Sequence, residues 1–171
     1  MKRTNNIKFL LLLFIGIALV SCDAGGDPDP GETEVVELAG DWYVQLLIDG
    51  EDVHNLGYNL ISTYNTAEDN GEEMWVDDHE LWPMKVSTPV NVQELTFSGS
   101  SLNNLYSYED DGEVISPEVD ITNGKVLIGA ATTTGGNITD SIHMNLQFAD
   151  NPGTIYTLAG YRRTGFLEDE H

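Results

Sequence analysis

The sequence is almost without cysteine. Cys22 is the only one among 171 residues. The chain after it can therefore hold no disulfide, no cysteine-based zinc site and no thiol nucleophile. We expect the folded part to depend on apolar burial and on backbone hydrogen bonds for its stability.

Positive charge is also scarce. Lys and Arg number 7 against 29 Asp and Glu, and three of these cations lie before residue 9. Without residues 1–21, four cations remain against 29 acids, a formal charge of −25. A chain this acidic repels nucleic acid and anionic lipid head groups, so we expect no nucleic-acid partner and no membrane contact through basic residues. The four remaining cations are Lys85, Lys125, Arg162 and Arg163.

Long apolar runs are missing apart from residues 9–20. This run is too short to span a bilayer as a mature helix. With its positive start and small end it predicts a secretory signal peptide over residues 1–21. Residues 19–22, Leu-Val-Ser-Cys, resemble a bacterial lipobox, which implies that Cys22 is diacylated and becomes the first mature residue. The alternative is an ordinary signal peptide followed by a stray cysteine.

A lipidated Cys22 implies a membrane partner and an envelope location. Acyl chains would hold the protein at the membrane, and we expect an outer-membrane lipoprotein of the cell envelope. Residues 22–37 are predicted to be a flexible acidic tether, because residues 23–33 are rich in Gly, Pro and acids. Acids soon after the cysteine resemble export signals of surface lipoproteins in Bacteroidetes. A periplasmic and a surface-exposed position both remain open.

Residues 38–171 read as a single all-β domain. Apolar residues alternate along residues 42–48, 58–64 and 142–148, which indicates half-buried strands. Asn70-Gly71 and Asn123-Gly124 predict hairpin turns. We find no amphipathic helix after the signal. The pattern favours an antiparallel up-and-down β-barrel of about eight strands over a sandwich, because the last strand, residues 155–163, is long enough to pair with the first.

Two motifs resemble those of known barrels. Gly40-Asp41-Trp42-Tyr43 is similar to the Gly-x-Trp entry of lipocalins and other calycins, in which an arginine near the last strand packs over the tryptophan and closes one barrel end. Arg163 shares strand parity with Tyr161 and is the predicted partner of Trp42. The alternative is that both C-terminal arginines lie on the acidic surface.

The whole arrangement resembles a Bacteroidetes lipoprotein family described as lipid-binding putative hydrolases. The likeness covers about residues 38–166. It consists of the lipobox, the segment LAGDWYV, the acidic hairpins and the segment GYRRTGF. It implies a calycin-like barrel, lipid binding and hydrolysis.

The residues themselves offer little catalytic chemistry. There is no Gly-x-Ser-x-Gly nucleophile motif. His143 has the opposite strand parity to Ile142 and Met144, so we expect its side chain to point away from the face that they line. His171 is at the end of the sequence, where we expect mobility. Residues 77–80 form the densest acidic cluster, but neighbouring strand residues face opposite ways. We therefore predict no catalytic residue, no metal site and no cofactor. Ser141 follows Asp140, which resembles an O-glycosylation motif of Bacteroidetes secreted proteins.

Aromatic residues are the better functional signal. They predict either a filled barrel core or an apolar cavity for an acyl chain or similar ligand. We therefore expect a lipoprotein that binds a small hydrophobic or amphipathic molecule. A non-enzymatic accessory module with a protein partner and a hydrolase are the alternatives. The predicted cavity lining is Tyr64, Trp82, Phe97, Met144 and Phe148.

Overall fold

The computed structural model describes residues 31–79 and 81–171. The predicted signal peptide and Cys22 lie outside these residues. Thr33–His171 form one compact unit. Its strands, in chain order, are β1 (Gly40–Ile48), β2 (Asn59–Asn65), β3 (Glu73–Asp77), β4 (Lys85–Asn91), β5 (Thr96–Leu102), β6 (Tyr108–Asp110), β7 (Glu113–Ile115), β8 (Val119–Thr132), β9 (Ile138–Phe148) and β10 (Tyr156–Arg162).

Eight of these strands close into an antiparallel barrel. Their order around it is β1-β10-β9-β8-β5-β4-β3-β2, and β6 and β7 form a separate hairpin. β10 pairs with β1 from Trp42↔Arg162 to Ile48↔Tyr156, so the last strand closes onto the first. The predicted barrel of about eight strands is confirmed. The one helical element in the described part of the chain is a 3₁₀ turn, Leu167–Asp169. Within residues 31–79 and 81–171, no helical segment could span a bilayer.

Alternate residues of the strands fill the barrel interior. Along β1, Trp42, Val44 and Leu46 are buried in the central hydrophobic cluster. Val35 and Leu38 join the same cluster from the turn before β1. The packed chain therefore begins within the segment that composition assigns to the tether.

The pairing register defines two barrel ends. Trp42 and Arg162 lie at one end, which we call the closed end, because Leu38 and Ala39 contact it. Ile48 and Tyr156 lie at the other, which we call the mouth. Four connections lie at the mouth because each follows a strand that runs towards it. They are residues 49–58, 78–84, 103–118 and 149–155.

The predicted hairpin turn at Asn123-Gly124 is wrong. β8 runs through both residues as one strand. Its pairing with β9 shifts between Thr122 and Lys125, which is a β-bulge. Asn123 has φ 55°, so the same sequence that favours a turn satisfies the left-handed backbone of the bulge. A Cβ at Gly124 would lie 2.4 Å from the Phe97 backbone oxygen, so only glycine fits against β5.

The chain after β10 folds back onto the outer wall. Asp169 is fully buried and accepts hydrogen bonds from Gly135 N at 3.0 Å, Asn137 Nδ2 at 3.0 Å and Thr164 Oγ1 at 2.6 Å. His171 stacks on Tyr58, with ring centroids 4.6 Å apart. The predicted mobility of His171 is therefore wrong, because tyrosines on the outer wall supply a surface for its ring.

Candidate functional site

A cavity of about 420 Å³ lies at the mouth of the barrel. Its volume is within the range of small-molecule sites, about 300–1,000 Å³. Aromatic, aliphatic and proline side chains form most of its wall. The lining residues are Leu81, Trp82, Pro83, Tyr108, Pro117, Phe148, Asp150, Asn151 and Tyr156.

Asp78 fixes the loop that carries Trp82. The Asp78 side chain is buried and accepts hydrogen bonds from the backbone nitrogens of Trp82 at 2.8 Å and Met84 at 2.9 Å. Met84 is packed in the barrel core. The loop that carries the Trp82 indole is therefore fixed by two hydrogen bonds to the buried Asp78 carboxylate.

Aromatic rings form the apolar wall of the cavity. The Trp82 and Tyr156 ring centroids are 5.4 Å apart, and Phe148 meets Tyr156 edge-on at 5.9 Å. His54 lies against Trp82 with its ring centroid at 5.0 Å. Such contacts hold the rings in one arrangement and leave a preformed apolar surface.

The insertion between β5 and β8 forms another wall. The buried side chain of Asn104 accepts a hydrogen bond from Lys85 N at 3.0 Å and donates one to Pro83 O at 2.9 Å. Tyr108, on β6, donates to the Asp150 carboxylate in the β9–β10 loop. The hydrogen bond to Asp150 raises the pKa of Tyr108, since a neighbouring carboxylate favours the protonated phenol. The Tyr108–Asp150 hydrogen bond thereby connects the β6–β7 hairpin to the β9–β10 loop across the mouth.

The closed end is built around Trp42. Its indole Nε1 donates to Thr63 Oγ1 at 2.8 Å, and that hydroxyl donates to Leu38 O at 2.6 Å. The guanidinium of Arg162 lies over the indole, with Cζ 4.4 Å from the ring centroid. Arg162 also donates to Ala39 O and to Asp140 Oδ2, the latter at 2.9 Å.

Arg162 therefore occupies the position that strand parity assigned to Arg163. Tyr156 and Leu158 belong to the barrel core, and Arg162 follows with the same parity. Tyr161 is buried instead on the outer wall, where Tyr58 and His171 contact it. Arg163 faces the same side and binds Glu170 with Nη2 at 2.8 Å. Burial of Tyr161 outside the barrel is the reason that the parity argument selected the wrong arginine.

The structure divides the five residues predicted to line a cavity into three groups. Trp82 and Phe148 line the cavity at the mouth. Phe97 and Met144 are buried within the barrel core and do not line it. Tyr64 lies on the outer wall, where its hydroxyl donates to Asp77 Oδ2 at 3.0 Å. The assignment of Tyr64 to the interior is corrected: Ile61 is the core residue of β2, and Tyr64 has the opposite parity.

The predicted lining did not include Tyr108, Pro117 or Tyr156. Tyr108 and Pro117 belong to the insertion between β5 and β8, whose position over the mouth depends on contacts between distant loops. Their only signal was the aromatic and proline content of residues 103–118.

Ser141 lies on β9 between Leu127 and Tyr161, and is half-buried. Its neighbour Asp140 binds Arg162. The O-glycosylation of Ser141 stays a prediction.

The acidic cluster at residues 77–80 is split between two structural roles. Asp78 supports the Trp82 loop, whereas Asp77 accepts a bond from Lys85 Nζ at 2.9 Å on the outer wall. Burial raises the pKa of the Asp77 carboxyl. Hydrogen bonds from Lys85, His79 N, Tyr64 and Tyr106 outweigh this, and the pKa lies below its usual value.

A serine, a histidine and an aspartate also meet on this wall. Ser62 Oγ lies 2.8 Å from His79 Nε2, and His79 Nδ1 lies 3.8 Å from Asp77 Oδ1. The second distance is too long for a hydrogen bond. Asp41 Oδ1, at 2.6 Å, competes with His79 for the single proton of the serine hydroxyl. The group has the composition of a nucleophilic triad without its geometry.

A search of curated proteins finds no match to the chain. A closed antiparallel barrel with an apolar cavity fits a lipid-binding role. The family model described as "Lipid-binding putative hydrolase" matches residues 27–167, most of the chain, and the protein belongs to this family.

Proposed function

We propose that the protein binds a small hydrophobic or amphipathic ligand, lipid-like in its apolar part, in the cavity at the mouth of the barrel. The observation that carries the proposal is the preformed apolar wall of Trp82, Phe148 and Tyr156 around about 420 Å³. The barrel interior is filled by its own side chains, Met144 among them, so the ligand site is the mouth. Membership of a family described as lipid-binding supports the same role.

The proposal also includes a membrane anchor. Residues 1–21 have the pattern of a signal peptide, and Cys22 follows as the lipidation site. Acyl chains on Cys22 would hold the barrel at the outer membrane, on the periplasmic side or at the surface. A cavity carried there would be within reach of membrane-derived amphiphiles.

A neutral apolar probe tests ligand binding. N-phenyl-1-naphthylamine is titrated into residues 23–171, which contain the complete packed unit. We expect a saturable rise in probe fluorescence with one site per chain. Trp82→Ala should weaken probe binding at least tenfold, because it removes the ring that packs on Tyr156.

Trp75→Ala is the matched control, since Trp75 is on the outer wall near Lys85 and does not line the cavity. Equal losses in both variants, or no saturable binding to the parent protein, would overturn the proposal. A stoichiometric protein that co-purifies with the anchored chain, together with no probe binding, would favour the accessory-module alternative.

A further inference from the structure

We infer that the cavity selects amphiphiles whose polar end is uncharged or cationic and discriminates against carboxylate and phosphate head groups. This inference deepens the proposed function and depends on it. It comes from the charges and hydrogen-bonding groups that surround the cavity.

The four connections at the mouth are strongly acidic. The described residues of these connections, 49–58, 78–79, 81–84, 103–118 and 149–155, contain ten Asp and Glu and no Lys or Arg. An anionic head group that approaches the mouth therefore meets a negative potential without a compensating cation.

The cations of the barrel domain lie outside the cavity lining. Lys85 starts β4 near the mouth, but its ammonium is bound to Asp77 on the outer wall. Arg162 is at the closed end, and Arg163 binds Glu170. Lys125 pairs with Thr96 in the sheet, next to the Val90↔Phe97 and Asn91↔Thr96 pairs of the β4–β5 end. None of the four lines the cavity.

The charged group of the cavity also disfavours an anion. Asp150 offers a carboxylate that already accepts from Tyr108. Asn151 Nδ2 donates one of its two hydrogens to Tyr156 OH at 2.7 Å, and Asp150 is the charged side chain in the cavity lining. A hydroxyl or an ammonium can donate to Asp150, whereas a carboxylate or phosphate can only accept and would lie beside a like charge.

The apolar wall and the acidic rim thus act on different parts of one ligand. Trp82, Phe148 and Tyr156 would contact its apolar chain, and Asp150 would contact its polar end. Aromatic faces also attract a quaternary ammonium. The ligand class is therefore an alkyl or acyl chain with an alcohol, a neutral glycerol-type or an amine-type head.

Three probes with the same twelve-carbon chain separate head-group charge from chain length. Dodecanol, dodecylammonium and dodecanoate each compete with N-phenyl-1-naphthylamine below their aggregation concentrations. The titrations are made at pH 8, where histidine carries little charge. We expect the alcohol and the ammonium to displace the probe at concentrations at least tenfold below that of dodecanoate. Added 0.5 M NaCl should reduce the difference between the concentrations at which the ammonium and dodecanoate displace the probe.

Asp150→Asn tests the residue assignment. It removes one negative charge and keeps an oxygen to accept from Tyr108, so the hairpin remains tied to the mouth. We expect the ammonium to bind several-fold more weakly and dodecanoate more tightly. Glu94→Gln, which removes one charge in the exposed loop between β4 and β5, should leave both unchanged.

The outcomes distinguish this inference from the proposed function. Equal displacement by dodecanoate and dodecanol would overturn the selectivity and leave the cavity as a ligand site. If the ratio of dodecanoate to ammonium displacing concentrations is the same in Asp150→Asn as in the parent protein, the role of Asp150 is overturned. If the fluorescent probe fails to bind and no twelve-carbon amphiphile binds by calorimetry, the proposed function and the selectivity are both overturned.

Discussion

Arg162 covers the indole of Trp42 and, in the same position, joins three parts of the chain. Its guanidinium donates to Ala39 O, to Glu37 O at 2.9 Å and to Asp140 Oδ2 at 2.9 Å. One side chain therefore connects the turn before β1, the start of β9 and the end of β10. The closed end of the barrel is held by this arrangement.

Arg162→Ala should destabilise the protein by about 2–4 kcal/mol, because it removes the contact with the ring and the hydrogen bonds to Ala39 O, Glu37 O and Asp140 Oδ2. Arg163→Ala removes an ion pair on the exposed surface and should cost roughly 0–1 kcal/mol. Urea unfolding followed by tryptophan fluorescence measures both. Equal losses, or a larger loss for Arg163→Ala, would contradict the structural assignment.

Asp77 gives a second prediction, on pH. Its pKa is lower in the folded chain than the usual value for Asp, about 3.9. The stabilisation from Asp77 is therefore complete about one pH unit above the unfolded pKa, near pH 5, and is lost as the pH falls through the folded pKa. Asp77→Asn should reduce the free energy of unfolding by about 2 kcal/mol at pH 7, since Lys85 loses its partner.

The difference in the free energy of unfolding between the parent protein and Asp77→Asn should decrease as the pH is lowered from 5 to 2.5. Urea unfolding across this range measures it. Asp110→Asn, on the exposed strand β6, is the control and should differ little from the parent at any pH. A gap that stays constant down to pH 2.5 would show that Asp77 does not act through its charge.

The fold could be predicted because its signals are local. The alternation along Ile142, Met144, Leu146 and Phe148 marks one face of β9, and all four residues are in the core. Turn residues at positions 68–71 mark the β2–β3 connection. The hairpin turn predicted at Asn123-Gly124 was wrong because a bulge and a turn use the same left-handed backbone conformation.

The candidate site was harder to predict because it depends on which face of a strand points inward. Alternation groups Tyr161 with Arg163, and Leu158 with Arg162, but does not say which group faces the core. Tyr161 is buried on the outer wall because the C-terminal residues cover it, and the alternation pattern does not predict where those residues lie. Cavity residues from the insertion, such as Tyr108, are placed by tertiary contacts with Asp150.

The Ser62–His79 contact yields a third prediction. Because Asp41 competes for the serine proton and Asp77 is too far from Nδ1, we expect no activation of Ser62. Ser62→Ala and His79→Ala should hydrolyse p-nitrophenyl butyrate at the same slow rate as the parent protein. His143→Ala, a histidine elsewhere on the barrel wall, is the control. If both Ser62→Ala and His79→Ala abolish a rate that His143→Ala keeps, the hydrolase alternative is supported.

The C-terminal residues supply the last prediction. His171 contacts Tyr43, Tyr58 and Tyr161, and Asp169 is buried against the 133–137 turn. Deletion of residues 166–171 would expose the three tyrosine rings and leave Gly135 N without its acceptor. We expect a loss of about 2 kcal/mol, seen as a fall of about 5 °C in the thermal midpoint. Circular dichroism in the near-ultraviolet, where tyrosine packing contributes, follows the transition.

Leu167→Ser serves as the control for this deletion, because the Leu167 side chain is exposed and its replacement should change stability by less than about 0.5 kcal/mol. Binding of N-phenyl-1-naphthylamine at the mouth should be unchanged in the truncated protein, since none of the deleted residues lines the cavity. An unchanged thermal midpoint would show that the segment does not stabilise the barrel. A lower midpoint with full probe binding would show that the two regions act independently: the C-terminal residues stabilise the wall, and the mouth binds the ligand.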